Sequence, residues 1–353
     1  MRAAIYHGQR DIRVEDIEEP KVVSGHVKID VKATGICGTD LHEYLAGPIF
    51  VPTPDAPHPT TGEALPVVLG HEFAGEIVEV GDDVEGLSVG DAVAVEPVIR
   101  CEDCPRCHRG AYNLCENLGF HGISGGGGGL AEFTVVPAYM AHRLPDGFGY
   151  DRGAIVEPMA VSFHGVRVSG FRPGDVALLL GAGPIGATTL ACLRAVGAHK
   201  VIVSEVSDAR KESAQRLGAD LVLDPRETDV AEEVRALTGG RGVDVSFDAA
   251  GVEATWQTAL AATRAEGTVV SLAIWEEPVP VDLNHVVLTE QTIKGSICYV
   301  DQDYPTTIAM MDDGRLPSTE LVTKRIGLDD VVEEGFEELV SNRDAHVKII
   351  IEQ

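Results

Sequence analysis

The sequence predicts an α/β protein in two parts: a β-rich domain first, then a doubly wound parallel sheet with helices on its faces. Three observations predict this. Short period-two strands separated by turn residues fill roughly the first 150 positions. The charge-free run Val176–Leu193 is broken by Gly181-Ala182-Gly183-Pro184-Ile185-Gly186. From about residue 153, apolar strand runs alternate with helical patterns.

In chain order, Val27–Ala33 alternates as a half-buried strand does, and Ile77–Val80 and Ala92–Val95 are further strands. Gly81-Asp82-Asp83 and Gly90-Asp91 are turn signals between them. Gly47–Gly62 carries Pro48, Pro52, Pro54, Pro57 and Pro59, which no regular element survives, so it reads as a stiff loop near a site mouth. The glycine run Gly125–Gly129 reads as a flexible turn before the strand Ala131–Val136, because no strand–helix junction surrounds it to bind an anion. Val176–Leu180 follows the turn Pro173-Gly174-Asp175 and reads as a buried parallel strand.

The glycine fingerprint then opens a helix ending at Gly197, and Glu205 stands at the end of the next strand, Lys200–Ser204. That context makes Gly181, Gly183, Pro184, Ile185 and Gly186 a pyrophosphate cradle, with Glu205 as acceptor for an adenosine ribose. A helix over Asp208–Leu217 stops at Gly218, and Leu221–Leu223, Val243–Asp248, Thr268–Ala273 and Thr292–Ile297 continue as strands. Two helical stretches, Tyr304–Met311 and Leu328–Val340, precede a closing strand Val347–Ile351.

Composition narrows the function. The net charge is −28, from 56 acidic and 28 basic residues, of which only 8 are Lys. Nucleic acid and anionic membrane both need a basic surface, so neither is expected as a partner. The same balance implies self-repulsion that molar salt would screen, which reads as a halophilic protein. Glycine and proline near the middle of Val176–Leu193 make that run a strand, turn and helix rather than a membrane span. With no secretory leader pattern and an odd count of seven cysteines, a reducing, cytoplasmic location is expected.

Two groups of residues carry metal chemistry. Cys101, Cys104, Cys107 and Cys115 have the spacing of four thiolates that close a tetrahedral structural zinc site. Their rival reading, a nucleic-acid-binding zinc ribbon, is opposed by the acidic balance, and His108 is a surplus donor once four thiolates saturate the metal. The second group is dispersed. Gly35-Ile36-Cys37-Gly38-Thr39-Asp40-Leu41-His42, Gly70-His71-Glu72 and Glu157-Pro158 offer sulfur, nitrogen and oxygen donors from three places, with a fourth zinc position left open. That donor set suits a catalytic zinc. Cys192 and Cys298 have no metal-spaced partners and read as buried filler.

Together these motifs resemble the zinc-dependent medium-chain alcohol dehydrogenase family over essentially the whole chain. Leu41–Phe50, His58-Pro59 and Thr61-Gly62 are similar to the butanediol-type members of its polyol branch. The resemblance implies a GroES-like catalytic domain over residues 1–153, with the structural-zinc lobe at about 100–116. A Rossmann NAD-binding domain would span 154–295, and 296–353 would return to the catalytic domain. It further implies a homodimer or homotetramer holding two zinc ions per subunit. The catalytic ion would sit on Cys37, His71 and Glu157, because this chain has Glu157 where simple alcohol dehydrogenases have a second cysteine; Glu72 would be a catalytic neighbour that binds the zinc transiently, as alternative ligand, or holds a water.

Thr39 would take the substrate proton and His42 would pass it to solvent. NAD is expected over NADP because Glu205 would repel a 2′-phosphate and Val206-Ser207-Asp208 adds no cation; Arg210 would meet the ribose region. The substrate implied is a short vicinal diol or secondary alcohol, with 2,3-butanediol and acetoin ahead of ethanol, sorbitol and threonine. Three other readings stand beside it: a broad secondary-alcohol or polyol dehydrogenase of the same family, a zinc-free quinone reductase on the same fold, and a nucleotide sensor without turnover.

Overall fold

The computed structural model describes residues 1–275 and 277–353. Packing divides the chain into two units. One comprises Met1–Glu157, Val300–Asp313 and Ser318–Gln353; the other comprises Pro158–Tyr299 and Gly314–Pro317.

The first unit is organised around one long strand, His26–Gly35. It pairs antiparallel with Glu72–Val80, Phe133–Pro137 and Lys348–Glu352. The sheet runs Ala141–Arg143, Ala92–Val95, Glu72–Val80, His26–Gly35, Lys348–Glu352, Val322–Gly327, with Phe133–Pro137 off that path. One core cluster packs Val27, Ile29, Val31, Phe73, Ile77, Val93, Val95 and Val136. These are alternate positions along their strands, the period-two pattern that places one face inward. A second cluster joins Tyr6, Ile36, Leu41, Tyr44 and Leu69 to Ile326, Phe336, Ile349 and Ile351, so segments far apart in sequence share one interior.

The register of the long strand positions the site. Gly35 lies opposite Glu72 on one side and Ile350 on the other. A Cβ at Gly35 would overlap Glu72 Oε2 and come 3.2 Å from Lys348 Cδ, so only glycine leaves room for those two side chains.

The second unit is a six-stranded sheet whose neighbouring strands are all parallel. Its order is Leu221–Leu223, Lys200–Ser204, Val176–Leu180, Val243–Asp248, Thr263–Ser271, Thr292–Gly295. The order reverses at Val176–Leu180, the strand that leads into the glycine fingerprint, as in doubly wound dinucleotide-binding sheets. The Val176–Leu193 run resolves into that strand and the helix Pro184–Ala195, and no helix among the described residues is long and apolar enough to cross a membrane.

The octapeptide around Cys37 spans the end of the long strand and the start of a helix, Gly38–Ala46, with Cys37 as its N-cap. Several expectations are corrected. The glycine run is packed rather than loose. Gly125, Gly126 and Gly127 have positive φ, a Cβ on Gly128 would overlap Leu69 O, and one on Gly129 would come 2.6 Å from the Phe73 ring. Those glycines serve close approach as well as turning.

Leu328–Val340 is a 3₁₀ turn over Leu328–Asp330, a π turn over Val331–Phe336 and an α-helix over Glu337–Asn342. The wide π turn seats Gly335 against Ile36, where a Cβ would come 2.7 Å from Ile36 Cδ1. The expected strand Thr268–Ala273 begins earlier, at Thr263, directly after the helix Glu253–Ala262.

Candidate active site

Cys37 lies two residues beyond the end of the long strand and starts the Gly38–Ala46 helix. Its backbone N–H donates to Asp40 Oδ2 at 2.9 Å, the return half of a capping box. Asp40 is fully buried, and its other oxygen, Oδ1, lies 3.2 Å from His71 Nδ1, close enough for a hydrogen bond but off its line. One carboxylate therefore touches both the segment that presents the thiol and the imidazole. Carboxylates behind metal-binding histidines commonly fix ring orientation in this way.

His71 and Glu72 are adjacent, and Glu72 opens its strand opposite Gly35. One ligand atom each from Cys37, His71 and Glu72 falls within 4.8 Å of the others. Glu72 is also held from behind. Lys348 Nζ donates to Glu72 Oε1 at 2.7 Å, to Oε2 at 2.5 Å and to Ile36 O at 3.2 Å, with both side chains buried. Glu157 is buried near the middle of the helix Tyr150–Val168, immediately before Pro158. Its oxygens do not join the 4.8 Å group, yet its charge acts on Lys348 and Tyr304.

The electrostatics of the site favour positive charge. Burial disfavours a charged His71, but Asp40 and Cys37 outweigh it and hold its proton affinity well above that of an ordinary imidazole. Burial likewise works against Lys348, and Glu72, Cys37 and Glu157 overcome it to raise that ammonium's pKa. A buried set of sulfur, nitrogen and carboxylate donors that attracts positive charge this strongly fits a divalent metal. Thr39 Oγ1 lies 3.7 Å from Cys37 Sγ. His42 is half-buried on the same helix, three residues from Thr39, so the two lie on one face.

The four-cysteine lobe is local. Sγ of Cys101, Cys104, Cys107 and Cys115 all lie within 4.8 Å of one another. Backbone N–H groups of Cys101 and Asn117 point at Cys115 Sγ at 3.3 and 3.4 Å, and those of Glu116 and Cys107 lower the Cys104 pKa. Such donors stabilise thiolates, which is what a closed zinc site requires. His108 is 63% exposed, with Nε2 4.0 Å from Asp103 Oδ1, and the donor group is the four cysteines without it. The lobe is tied down by Tyr112, whose hydroxyl donates to buried Glu96 at 2.6 Å, while His142 Nε2 meets the other Glu96 oxygen at 2.8 Å.

Comparisons with known proteins agree with this geometry. Residues 23–146 match the alcohol dehydrogenase GroES-like domain, and residues 184–313 match the zinc-binding dehydrogenase domain. The chain is 46% identical over 352 residues to an (R,R)-butanediol dehydrogenase of Bacillus subtilis, covering 99% of each protein. It is 44% identical to one of Neisseria gonorrhoeae at the same coverage. The crystal structure of the Bacillus subtilis 2R,3R-butanediol dehydrogenase superposes with a TM-score of 0.94 at 45% identity, over 100% of this chain and 99% of that one. The chain belongs to the zinc-binding medium-chain alcohol dehydrogenases.

The nucleotide-binding unit of this dehydrogenase can be tested for fit in the same way. Gly183 N-caps the 12-residue helix Pro184–Ala195. A Cβ at Gly186 would overlap Gly181 O, so the turn closes only with glycine there. The Arg210 guanidinium lies 3.8 Å from where a Gly183 Cβ would stand, which puts a cation beside the loop. This cradle fits a pyrophosphate. Glu205 is buried and already accepts three backbone N–H bonds, from Ala182 at 2.7 Å, Val206 at 2.8 Å and Ser207 at 2.9 Å. A carboxylate has about four acceptor positions, so capacity for a ribose hydroxyl remains.

Val206-Ser207-Asp208 itself adds no cation, but residues further along the chain bring two beside it. Arg226 Nη2 donates to Val206 O at 2.7 Å, and Lys211 Nζ meets Asp208 Oδ1 at 2.7 Å.

Sequence reasoning missed Asp40, Lys348, Glu96 and Arg226. Asp40 had one available signal, its place three residues after Cys37 as the N3 acid of a capping box. Lys348 had none, since 276 residues separate it from Glu72.

Proposed function

We infer that this protein is a zinc-dependent oxidoreductase that interconverts a short vicinal diol and its hydroxyketone, with 2,3-butanediol and acetoin as the favoured pair and NAD as the hydride carrier. The carrying observation is the convergence of Cys37, His71 and Glu72 within 4.8 Å, in a chain 46% identical to an (R,R)-butanediol dehydrogenase. Zinc supplies Lewis acidity toward an alcohol or carbonyl oxygen, and a nicotinamide supplies the hydride acceptor.

The chain's own groups do the rest. Cys37, His71 and a carboxylate hold the metal. Asp40 faces His71 Nδ1, which leaves Nε2 as the donor. Glu157 is the third ligand with Glu72 as the alternative: Glu72 stands within 4.8 Å of the Cys37 and His71 donors, but Lys348 already pairs with both of its oxygens. Replacing Glu157 by Gln should remove one zinc per chain, and Glu72→Gln should not; the reverse result transfers the role to Glu72. Thr39 takes the substrate proton and His42 carries it outward along the same helix face. The second hydroxyl of the diol meets a polar partner, so alcohols lacking it are disfavoured.

NAD is favoured over NADP by the Glu205 carboxylate. The exposed edge strand Thr292–Gly295, next to a helix that leaves Leu283, Val287 and Leu288 largely in solvent, supports a homo-oligomer built by pairing with a second copy. Seven free cysteines support a reducing, cytoplasmic setting.

Steady-state efficiencies with 2,3-butanediol, acetoin, 2-butanol, ethanol, sorbitol and threonine, each with NAD and NADP, test the reading. Equal efficiency on 2-butanol and 2,3-butanediol would remove recognition of the second hydroxyl.

A further inference from the structure

Two parallel strands end side by side in the nucleotide-binding unit. Ser204 is in register with Leu223, and the residues that follow are both acids, Glu205 and Asp224. Glu205 N donates to Leu223 O at 3.0 Å, so the ends are stitched together. Glu205 occupies the position that meets the adenosine 2′-hydroxyl in such folds, where a nearby arginine instead accommodates a 2′-phosphate. This chain carries both devices. Arg226 reaches back across the strand ends to Val206 O at 2.7 Å, one residue from Glu205, and its side chain is 60% exposed. Lys211 approaches from the following helix.

Asp224 occupies both cations. Its buried carboxylate accepts from Arg226 Nε at 2.9 Å, Arg226 Nη2 at 2.5 Å, Arg226 N at 2.9 Å and Lys211 Nζ at 2.7 Å. The pairing with Arg226, then Lys211, holds the Asp224 carboxyl far below the usual carboxylate range, so it is ionised at neutral pH. A bidentate guanidinium–carboxylate pair fixes the fork's direction as well as its charge.

We propose that Asp224 is a second determinant of cofactor choice: it pins Arg226 and Lys211 beside the ribose-recognition end of the Lys200–Ser204 strand and withholds them from a 2′-phosphate. The proposal rests on the NAD reading above and assigns part of that preference to a residue that need not touch the cofactor. Asp224 is therefore a positioning residue. NADP exclusion has two parts, direct repulsion by Glu205 and confinement of the cations by Asp224.

The test is binding of NAD and NADP to the full-length protein by calorimetry, with adenosine 2′-phosphate as a fragment probe. In Asp224→Asn, NADP and the fragment should bind about tenfold tighter, as a freed charge-assisted hydrogen bond to phosphate allows, with a far smaller change for NAD. Adding Arg226→Gln should abolish that gain. Glu212→Gln removes an exposed charge from the same helix as Lys211 and should not reproduce it. An unchanged NADP-to-NAD ratio in Asp224→Asn, a gain that survives Arg226→Gln, or an equal gain in Glu212→Gln overturns the proposal.

If Asp224→Asn does not fold, Arg226→Gln alone decides. An idle cation predicts no change for either cofactor, whereas a tenfold loss for NADP would show Arg226 already facing the phosphate. Wild type binding NADP as tightly as NAD would instead be a failure of the NAD reading itself.

Discussion

The two metal-binding regions of the first unit are built in opposite ways. The four-cysteine lobe draws all its donors from Cys101–Cys115 and needs only local turns to gather them. The active-site donors come from separate segments and converge because one strand, His26–Gly35, has Glu72 on one side and the last strand on the other. The lobe is chemically uniform and supported by backbone N–H groups. The active site is mixed, and it is supported by buried side chains of opposite charge, Asp40 and Lys348. A closed set of like donors suits a metal that holds structure, whereas a mixed, side-chain-buttressed set leaves room for substrate.

The sharpest way to break this contrast is a pair of cysteine substitutions. Cys37→Ser should lower kcat/KM by about 10³-fold or more, since Lewis acidity is worth several kcal/mol and each 1.36 kcal/mol is tenfold. Its melting temperature should stay near that of wild type. Cys104→Ser should do the reverse in kind, losing its zinc together with folded structure, because structural zinc binding is folding free energy. Metal analysis and thermal melts read both. Equal zinc content in Cys104→Ser and wild type would end the structural reading of the lobe.

Next in size is the buried charge behind Glu72. Lys348→Met should destabilise the protein by about 3–5 kcal/mol, the cost of leaving one partner of a buried pair uncompensated. Denaturant melts measure this, and Lys348→Met should recover when combined with Glu72→Gln. Additive losses would mean that the pair is not the source.

Asp40→Asn comes third. It should weaken zinc binding by about 10–100-fold in a chelator competition, as losing a carboxylate behind a metal-bound histidine does. The lobe should keep its metal.

A buried imidazole outside both ligand sets provides the control. His121 packs against Phe73, and its Nε2 meets Thr134 Oγ1 at 2.7 Å. Burial drives its pKa down to about 3, whereas the Asp40 and Cys37 charges drive His71 up. In the unfolded chain His121 takes a proton below about pH 6.5, and in the folded chain only near 3, so stability is full above 6.5 and falls as pH drops between these values. The loss should be about 1.4 kcal/mol per pH unit from this residue, and His121→Gln should remove that slope from pH-dependent denaturation. The smallest effect acts on both regions alike: with a net charge of −28, thermal stability should rise from low to molar KCl. A flat or falling curve would remove the halophilic reading.

What could be read from the sequence follows the same local–distant divide. The lobe was legible because its spacing is its geometry. The parallel sheet and its glycine turn were legible because strand, fingerprint and acid occur in order. Cys37, His71 and Glu72 stood out beside their glycines, but what holds them did not. Asp40 was hidden because Gly38 and Thr39 are poor helix formers and masked the start of a helix. Lys348 was hidden because sheet pairing, not sequence distance, brings it to Glu72. Arg226 escaped notice for a similar reason, lying 20 residues from the carbonyl it reaches.

The pairing of His26–Gly35 with Lys348–Glu352 has a consequence for how the molecule is made. During synthesis, the early strands emerge more than 250 residues ahead of the segment that completes their sheet. Until residues 348–352 arrive, one edge of His26–Gly35 lies open near Gly35, and Glu72 has no ammonium to meet. The nucleotide-binding unit is translated in that interval and has a core of its own to form. A stalled ribosome would therefore display a finished second unit beside an unfinished first one with an unpaired strand edge, the kind of surface that chaperones bind and that aggregates when they do not.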